Sequence, residues 1–437
     1  MTDIVTRLTG DARASERLKG IYSICSAHHW VIEAAMKQAL EDDTPLLLES
    51  TSNQVDQYGG YTGMKPAEFV RFIYGLADRV GFDRERLLLG GDHLGPNAWR
   101  NLPADKAMQR ADALIEAYAA AGFRKLHLDA SMPCADDPAH LSDEVVAQRA
   151  ARMCAIAEAA AARAGLTERP VYIVGTEVPV PGGAAGELAT VEVTHADAAL
   201  ETVAVHRKAW DARGLGAAWE RVVGLVVQPG VEFDHTRVVD YKPALASELS
   251  KVLERLPGIV FEAHSTDYQK PEALAALVND GFAVLKVGPG VTFALREALY
   301  ALADIECELV APDIRSNLRE VVERVMLAKP SNWEKYYHGS DADKRLLRTY
   351  SYSDRVRYYW TDHEIGEATR KMVANLGHVG IRENFVSRYL PEQYWQLRRG
   401  LIDVSPMSLV YSKIRDVIRA YAAACQVQAQ PKLSKDN

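Results

Sequence analysis

Residues 87–97 read LLLGGDHLGPN. Leucines and glycines on consecutive positions are what a strand covered on both faces looks like. An acid and an imidazole, Asp92 and His93, then stand side by side at its end. One such pair is more often the polar start of a loop than a site. It acquires meaning only if other strands deliver matching groups to the same place.

Seven more runs share the pattern: GIYSIC (20–25), PLLLES (45–50), KLHLDA (125–130), PVYIVGTE (170–177), VVGLVVQ (222–228), GIVFEA (258–263) and FAVLKVG (282–288). Amphipathic helical stretches lie between them, as at 66–80, 105–121 and 143–164. Eight βα units make a TIM (β/α)8 barrel. A doubly wound open sheet shares the alternation, but the count stops at eight and the polar groups follow the strands. After Pro330 the alternation ceases and SNWEKYYHGSDADKRLLRTYSYSDRVRYYWTD is dense in aromatics and arginine. Helical patterns return near 363–376, 391–400 and 406–424. The expected organisation is a barrel over 1–329, a mostly helical C-terminal extension over 330–425 acting as lid or subunit interface, and a polar tail over 426–437.

The net charge of −8 argues against a nucleic-acid partner, which requires a concentrated basic face. The five cysteines are scattered and never form CxxC, which fits a reduced cytoplasm. The N-terminus has no apolar signal core, and no stretch is long and apolar enough for a membrane span. The expectation is a cytoplasmic protein with no membrane partner.

In a TIM barrel the βα loops meet at the carboxyl ends of the strands, and catalytic groups gather there. The strand ends here supply Glu49 and Asn53, then Asp92 and His93, then Asp129, then Glu177. His235 follows the sixth run, His264 with Ser265 and Thr266 the seventh, and Lys286 with Gly288 the eighth. His93, His235 and His264 thus leave three strands at one face, and three imidazoles with an open position describe a catalytic divalent-metal site, zinc before other transition metals. Each alone reads as a loop histidine; together, beside Asp92 and Glu177, they read as a site. His28, His29, His127, His195 and His206 lack that placement and are taken as structural.

The motifs DHLGPNAW, LHLDASM, VGTEVPVPGGAAGE, VVQPGVEFDH, EAHSTDYQ, LKVGPGVTFALREA and YSYSDRVRYYW resemble those of the Z-type (GatZ/KbaZ) tagatose-1,6-bisphosphate aldolase subunits, over nearly the whole chain. A more distant similarity is to class II aldolases, which are metal-dependent barrels. That resemblance implies a proton-transfer role for Asp92, a second acidic role for Glu177, and metal ligation by His93, His235 and His264. The chain departs from the class II pattern in having Thr236 after His235 where glycine is usual, and VGPGVT after the eighth strand where that pattern has Asn-x-Asp-Thr-Asp. Some relatives carry the label tagatose-6-phosphate kinase, but no GxxxxGK[ST] loop is present.

The family name implies a non-catalytic accessory of a separate class II aldolase chain. Retention of Asp92, His93, Glu177, His235 and His264 favours an enzyme, because clustered polar groups with no task cost stability. Relatives linked to tagatose 6-phosphate and fructose 6-phosphate imply inversion at C4 of a phosphorylated ketohexose. The C4 hydrogen is not acidified by the C2 carbonyl, so retro-aldol cleavage and re-addition is the route such a site suits. The phosphate donors expected are Ser265, Thr266, the glycine-flanked backbone at 288–292, and Ser353, Arg355 and Arg357 from the extension. The same Arg and Tyr run also reads as packing between extension and barrel. A homo-oligomer is expected.

Overall fold

All eight apolar runs are strands of one closed sheet. In the computed structural model, which describes residues 6–8, 16–175 and 191–427, they are β1 (Ile21–Ile24), β2 (Leu46–Thr51), β3 (Leu87–Leu94) and β4 (Lys125–Leu128). The other four are β5 (Val171–Val174), β6 (Val222–Val226), β7 (Val260–Ala263) and β8 (Val284–Val287). They pair in parallel in chain order, and β8 closes onto β1 with Ile21 level with Val284. The protein is a TIM barrel.

The helices that follow the strands are α1 (His29–Glu41), α2 (Pro66–Val80), α3 (Ala104–Ala120), α4 (Asp143–Arg163), α5 (Ala196–Ala212), α6 (Pro243–Lys251), α7 (Pro271–Asn279) and α8 (Pro289–Leu309). In α2 the proline at the first position, the left-handed Gly81 at the end and the buried stripe Phe69, Val70, Ile73, Leu76 and Ala77 account for start, stop and orientation. Between β6 and α6 a two-stranded antiparallel ribbon, Glu232–Phe233 with Val238–Val239, stands apart from the barrel.

After α8 comes α9 (Leu318–Ala328), and the extension holds α10 (Asp341–Tyr350), α11 (His363–Val379), α12 (Glu383–Tyr389), α13 (Pro391–Arg398) and α14 (Pro406–Cys425). α10 lies in the aromatic stretch that showed no helical rhythm; its start is marked by a capping box between Ser340 and Asp343. α14 packs on α8, α7 and α1, and directly on β1, where Tyr421 meets Tyr22. Its apolar face, Leu409, Val410, Ile414, Ile418 and Tyr421, is buried, each side chain contributing about 1.5–3 kcal/mol. Beyond it, Val427 N–H donates to Arg17 O and Gln426 bridges Leu18, so the start of the expected polar tail is stitched to the segment before β1. No helix of the described residues is long and apolar enough to cross a membrane.

The barrel interior is layered. Ile21, Leu47, Leu88, Val171, Ile173, Val223, Val260 and Val284 form an apolar plug with Leu8. Side chains alternate along a strand, so the next inward positions after Leu47, Leu88, Val260 and Val284 are Glu49, Gly90, Glu262 and Lys286. Apolar floor gives way to charge within one step.

Candidate active site

The first polar layer is an ion network. Lys125 Nζ, wholly buried, contacts Glu49 Oε1 and lies 2.7 Å from Glu262 Oε2. Lys286 Nζ contacts Glu49 Oε2, with Asp92 Oδ1 at 3.0 Å and Glu262 Oε1 at 3.7 Å. Gly90 makes room for it, since a Cβ there would stand 2.6 Å from Glu49 Oε1. Burial works against the Glu262 charge, but Lys125 and His264 outweigh it and hold the carboxyl below its ordinary range.

One step above are the histidines. A register shift in β3 between Gly91 and Leu94 places His93 in the left-handed region at φ 47°. Such strain in a non-glycine residue persists only where its surroundings over-determine it, and it gathers at functional sites. His93 Nδ1–H donates to Asp129 Oδ2 at 2.9 Å. Gly95 permits that approach, because a Cβ on it would overlap Asp129 O. His264 Nε2–H donates to Glu262 Oε1 at 2.9 Å. Each carboxylate fixes a tautomer, so His93 Nε2 and His264 Nδ1 turn their lone pairs toward each other at 3.2 Å.

Two nitrogens bound tetrahedrally to one ion at about 2.0–2.1 Å stand about 3.3 Å apart. Asp92 Oδ2 lies 3.8 Å from His93 Nε2, and the ligand atoms of Asp92, His93, His127 and His264 all fall within 4.8 Å of one another. Charge points the same way: Glu49, Asp92, Asp129 and Glu262 are buried carboxylates against the two ammonium groups of Lys125 and Lys286. Burial opposes a charge on His93, yet Asp92 and Asp129 raise its pKa to about 9, so positive charge is favoured where the lone pairs meet. These residues fit a divalent cation.

His127, expected to be structural, belongs to this cluster. Its Nε2 pairs with Gly175 O at 3.0 Å, and its Nδ1 pairs with Asp92 Oδ1 at 3.0 Å. The available signal is alternation: Lys125, His127 and Asp129 share one face of β4 and its end, as Glu262 and His264 do of β7 and its end. His235 requires correction in the other direction. It sits in the turn of the two-stranded ribbon and is not brought to the cluster. Its Nδ1 pairs with Ser351 Oγ at 3.1 Å and its Nε2 with Tyr336 O at 3.0 Å, so it ties the ribbon to the extension. Glu177 lies outside the described residues.

The mouth above the cluster is an open cavity lined by Asn53, Asp92, His93, His264, Ser265, Lys286, Gly288, Arg357 and Tyr358. The extension therefore does reach the strand ends, through Arg357 and Tyr358. Arg355 and Ser353 do not line it: Arg355 stacks on Tyr336 and donates to Asn332 O at 2.8 Å, and Ser353 Oγ pairs with Ser351 Oγ. Thr266 is spent on structure, donating to Lys286 O at 2.6 Å and accepting from Tyr421 through its carbonyl. Glu49 and Asp129 serve the ion network and His93, below the open space. The backbone expected to hold phosphate is also taken, since Gly288 N–H and Gly290 N–H both donate to Asp267 Oδ1, at 2.9 and 2.7 Å.

Fold and site together define a (β/α)8 barrel with a metal-type His/Asp cluster at its carboxyl end. Residues 6–426 match the D-tagatose-1,6-bisphosphate aldolase subunit GatZ/KbaZ-like family, and the chain belongs to it. Among solved structures it is similar to a probable tagatose 6 phosphate kinase from Sinorhizobium meliloti 1021, at 52% identity and a TM-score of 0.86, over 93% of this chain and 100% of that one. The YdjI aldolase from Escherichia coli K12 matches at 10% identity and a TM-score of 0.41, covering 86% and 97%, a distance at which nothing is said of chemistry.

Proposed function

We propose that the protein is a metal-dependent enzyme that inverts C4 of a ketohexose 6-phosphate, interconverting tagatose 6-phosphate and fructose 6-phosphate by retro-aldol cleavage and re-addition. The observation that carries this is the pair of lone pairs, His93 Nε2 and His264 Nδ1, turned on each other by dedicated carboxylates beside Asp92. A cation held by His93 and His264 beside Asp92, zinc by preference, would supply Lewis acidity for the cleavage. Asp92 takes the proton of the C4 hydroxyl as the C3–C4 bond breaks, giving the enediolate of dihydroxyacetone and glyceraldehyde 3-phosphate. Lys286, 3.0 Å from Asp92 Oδ1, steadies that carboxylate in the required charge state. The aldehyde turns over in the mouth, C3 attacks its other face, and a proton returns to the C4 oxygen from Asp92 or from Glu177, the second proposed carrier. The C4 hydrogen never leaves carbon.

The test is turnover of tagatose 6-phosphate by the purified, metal-loaded chain in heavy water. The expected product carries no deuterium at C4, and a chelator abolishes the reaction. Solvent deuterium at C4 rules out the retro-aldol route. The family description, an aldolase subunit, favours a second reading: an accessory that stabilises a class II aldolase chain. A folded, metal-loaded protein inert toward every ketohexose 6-phosphate, yet raising the activity of such a partner, decides for it. We place either role in the cytoplasm, with self-association into a homo-oligomer.

A further inference from the structure

The mouth is a poor place for a phosphate dianion. It is lined by two carboxylates, Asp92 and Asp267, and the amino end of α8, where a TIM barrel commonly seats phosphate, is already occupied by Asp267 Oδ1. A second, smaller chamber adjoins it and shares Cys25, Gln54, Tyr61 and Arg357 as common wall. No carboxylate lines this chamber, and burial pushes the Cys25 thiol up to about 11, so that group is neutral.

Three of the chamber's lining residues, Arg357, Trp360 and Ser26, keep hydrogens to donate. Arg357 forms no ion pair among the described residues; it gives hydrogens to Ser353 O, Asp354 O and the Tyr358 hydroxyl, which leaves Nε–H and one Nη2–H unspent. Trp360 is 8% exposed, and its indole Nε1–H is buried with no partner. Ser26 Oγ accepts His28 N–H at 3.2 Å and keeps its own hydrogen to give. An orphaned buried indole N–H is costly unless an acceptor arrives, and the half-buried Arg357 guanidinium beside it has hydrogens left to give.

We infer that the side chamber is the phosphate subsite, with the anion held by Arg357, Trp360 and Ser26 and not by the amino end of α8. A ketose bound at the cluster then points its C6 end past Tyr61, with the phosphate drawn away from Asp92 and Asp267. This rests on the sugar-phosphate reading above for the identity of the substrate, while the anion seat stands on its own geometry. Arg357 and Trp360 come from the extension, so on this view the extension supplies substrate specificity.

Inorganic phosphate is the probe, added to the intact metal-loaded protein and followed by calorimetry. Trp360→Phe, which keeps the packing and removes the N–H, and Arg357→Gln should each weaken phosphate binding at least about ten-fold. Asp267→Asn, which keeps the acceptor on the α8 amides, should change it less than about two-fold. Wild-type crystals soaked in phosphate locate the anion with no substitution at all, and density is expected between Arg357 and Trp360. Phosphate found on the Gly288 and Gly290 amides with Asp267 displaced, affinity indifferent to both substitutions, or no binding at millimolar phosphate, each overturns the assignment. None of these readouts depends on turnover, so an inert protein that still binds phosphate in the chamber separates this proposal from the epimerase reading.

Discussion

Lys125→Met tests whether the ion network holds the site up. The ammonium lies between Glu49 and Glu262, 2.7 Å from Glu262 Oε2, with 2% of its side chain exposed. At an effective dielectric constant of 20, one such contact is worth roughly 6 kcal/mol of attraction. Desolvation offsets part of that, and deleting one partner of a buried pair typically costs about 3–5 kcal/mol because the remaining charge is stranded. Methionine keeps the length of the side chain, so the loss reports charge and not a cavity. Urea unfolding followed by tryptophan fluorescence, with chelator present so that metal does not contribute, should show that loss. Adding Glu262→Gln to Lys125→Met should restore at least about 1 kcal/mol, since the stranded carboxylate goes with it. Because Glu262 also orients His264, Lys125→Met should weaken metal binding about 10–100-fold. A loss below about 1 kcal/mol at unchanged slope would refute the reasoning, for it would mean the two carboxylates need no cation between them.

Metal titrations should separate the histidines. His93→Ala and His264→Ala abolish tight binding and His127→Gln weakens it, whereas His235→Gln leaves it unchanged and lowers stability by about 1–3 kcal/mol through its bonds to Ser351 and Tyr336. Unaltered metal affinity in His127→Gln would return that residue to a purely structural role. Asp129→Asn should reduce metal affinity about 10–100-fold while the fold survives, as circular dichroism and calorimetry together will show. For Asp267 burial raises the carboxyl from an ordinary 3.8 to about 6. The folded state therefore holds this proton more tightly than the unfolded one. The associated stability is whole below pH about 4 and lost as pH rises through about 6, about 3 kcal/mol in all. Asp267→Asn should remove that pH dependence, and parallel stability profiles for the two proteins between pH 4 and 8 would contradict it.

The barrel was legible because parallel strands covered on both faces write themselves as unbroken apolar runs, and all eight did. Asp92, His93 and His264 were legible because a charged group ending such a run is conspicuous. His127 was not, since inside KLHL one imidazole among leucines looks like core, and only the two-residue alternation with Lys125 and Asp129 gives it away. His235 misled for the opposite reason. It lies nine positions after Val226, in the turn of a ribbon that carries it to the extension. Arg355 and Arg357 part company at a local turn set by distant contacts: Asp354, left-handed at φ 43°, is gripped by Arg296 at 2.8 Å and Thr292 at 2.6 Å from α8. Nothing within SYSDRVRYYW announces those partners.

The contact between α14 and β1 has a temporal side. Among the described residues the first strand is covered by the last helix, so a nascent chain carries that face of β1 without α14 until residues 406–425 have left the ribosome. Such long-range closure slows folding and prolongs the exposure of apolar surface on which aggregation feeds. A chain stopped short of α14 would thus be a closed barrel with apolar surface on β1, α1, α7 and α8 left bare, and a bulky tag fused tightly behind Val427 would press on the seam where Val427 N–H is bonded to Arg17 O.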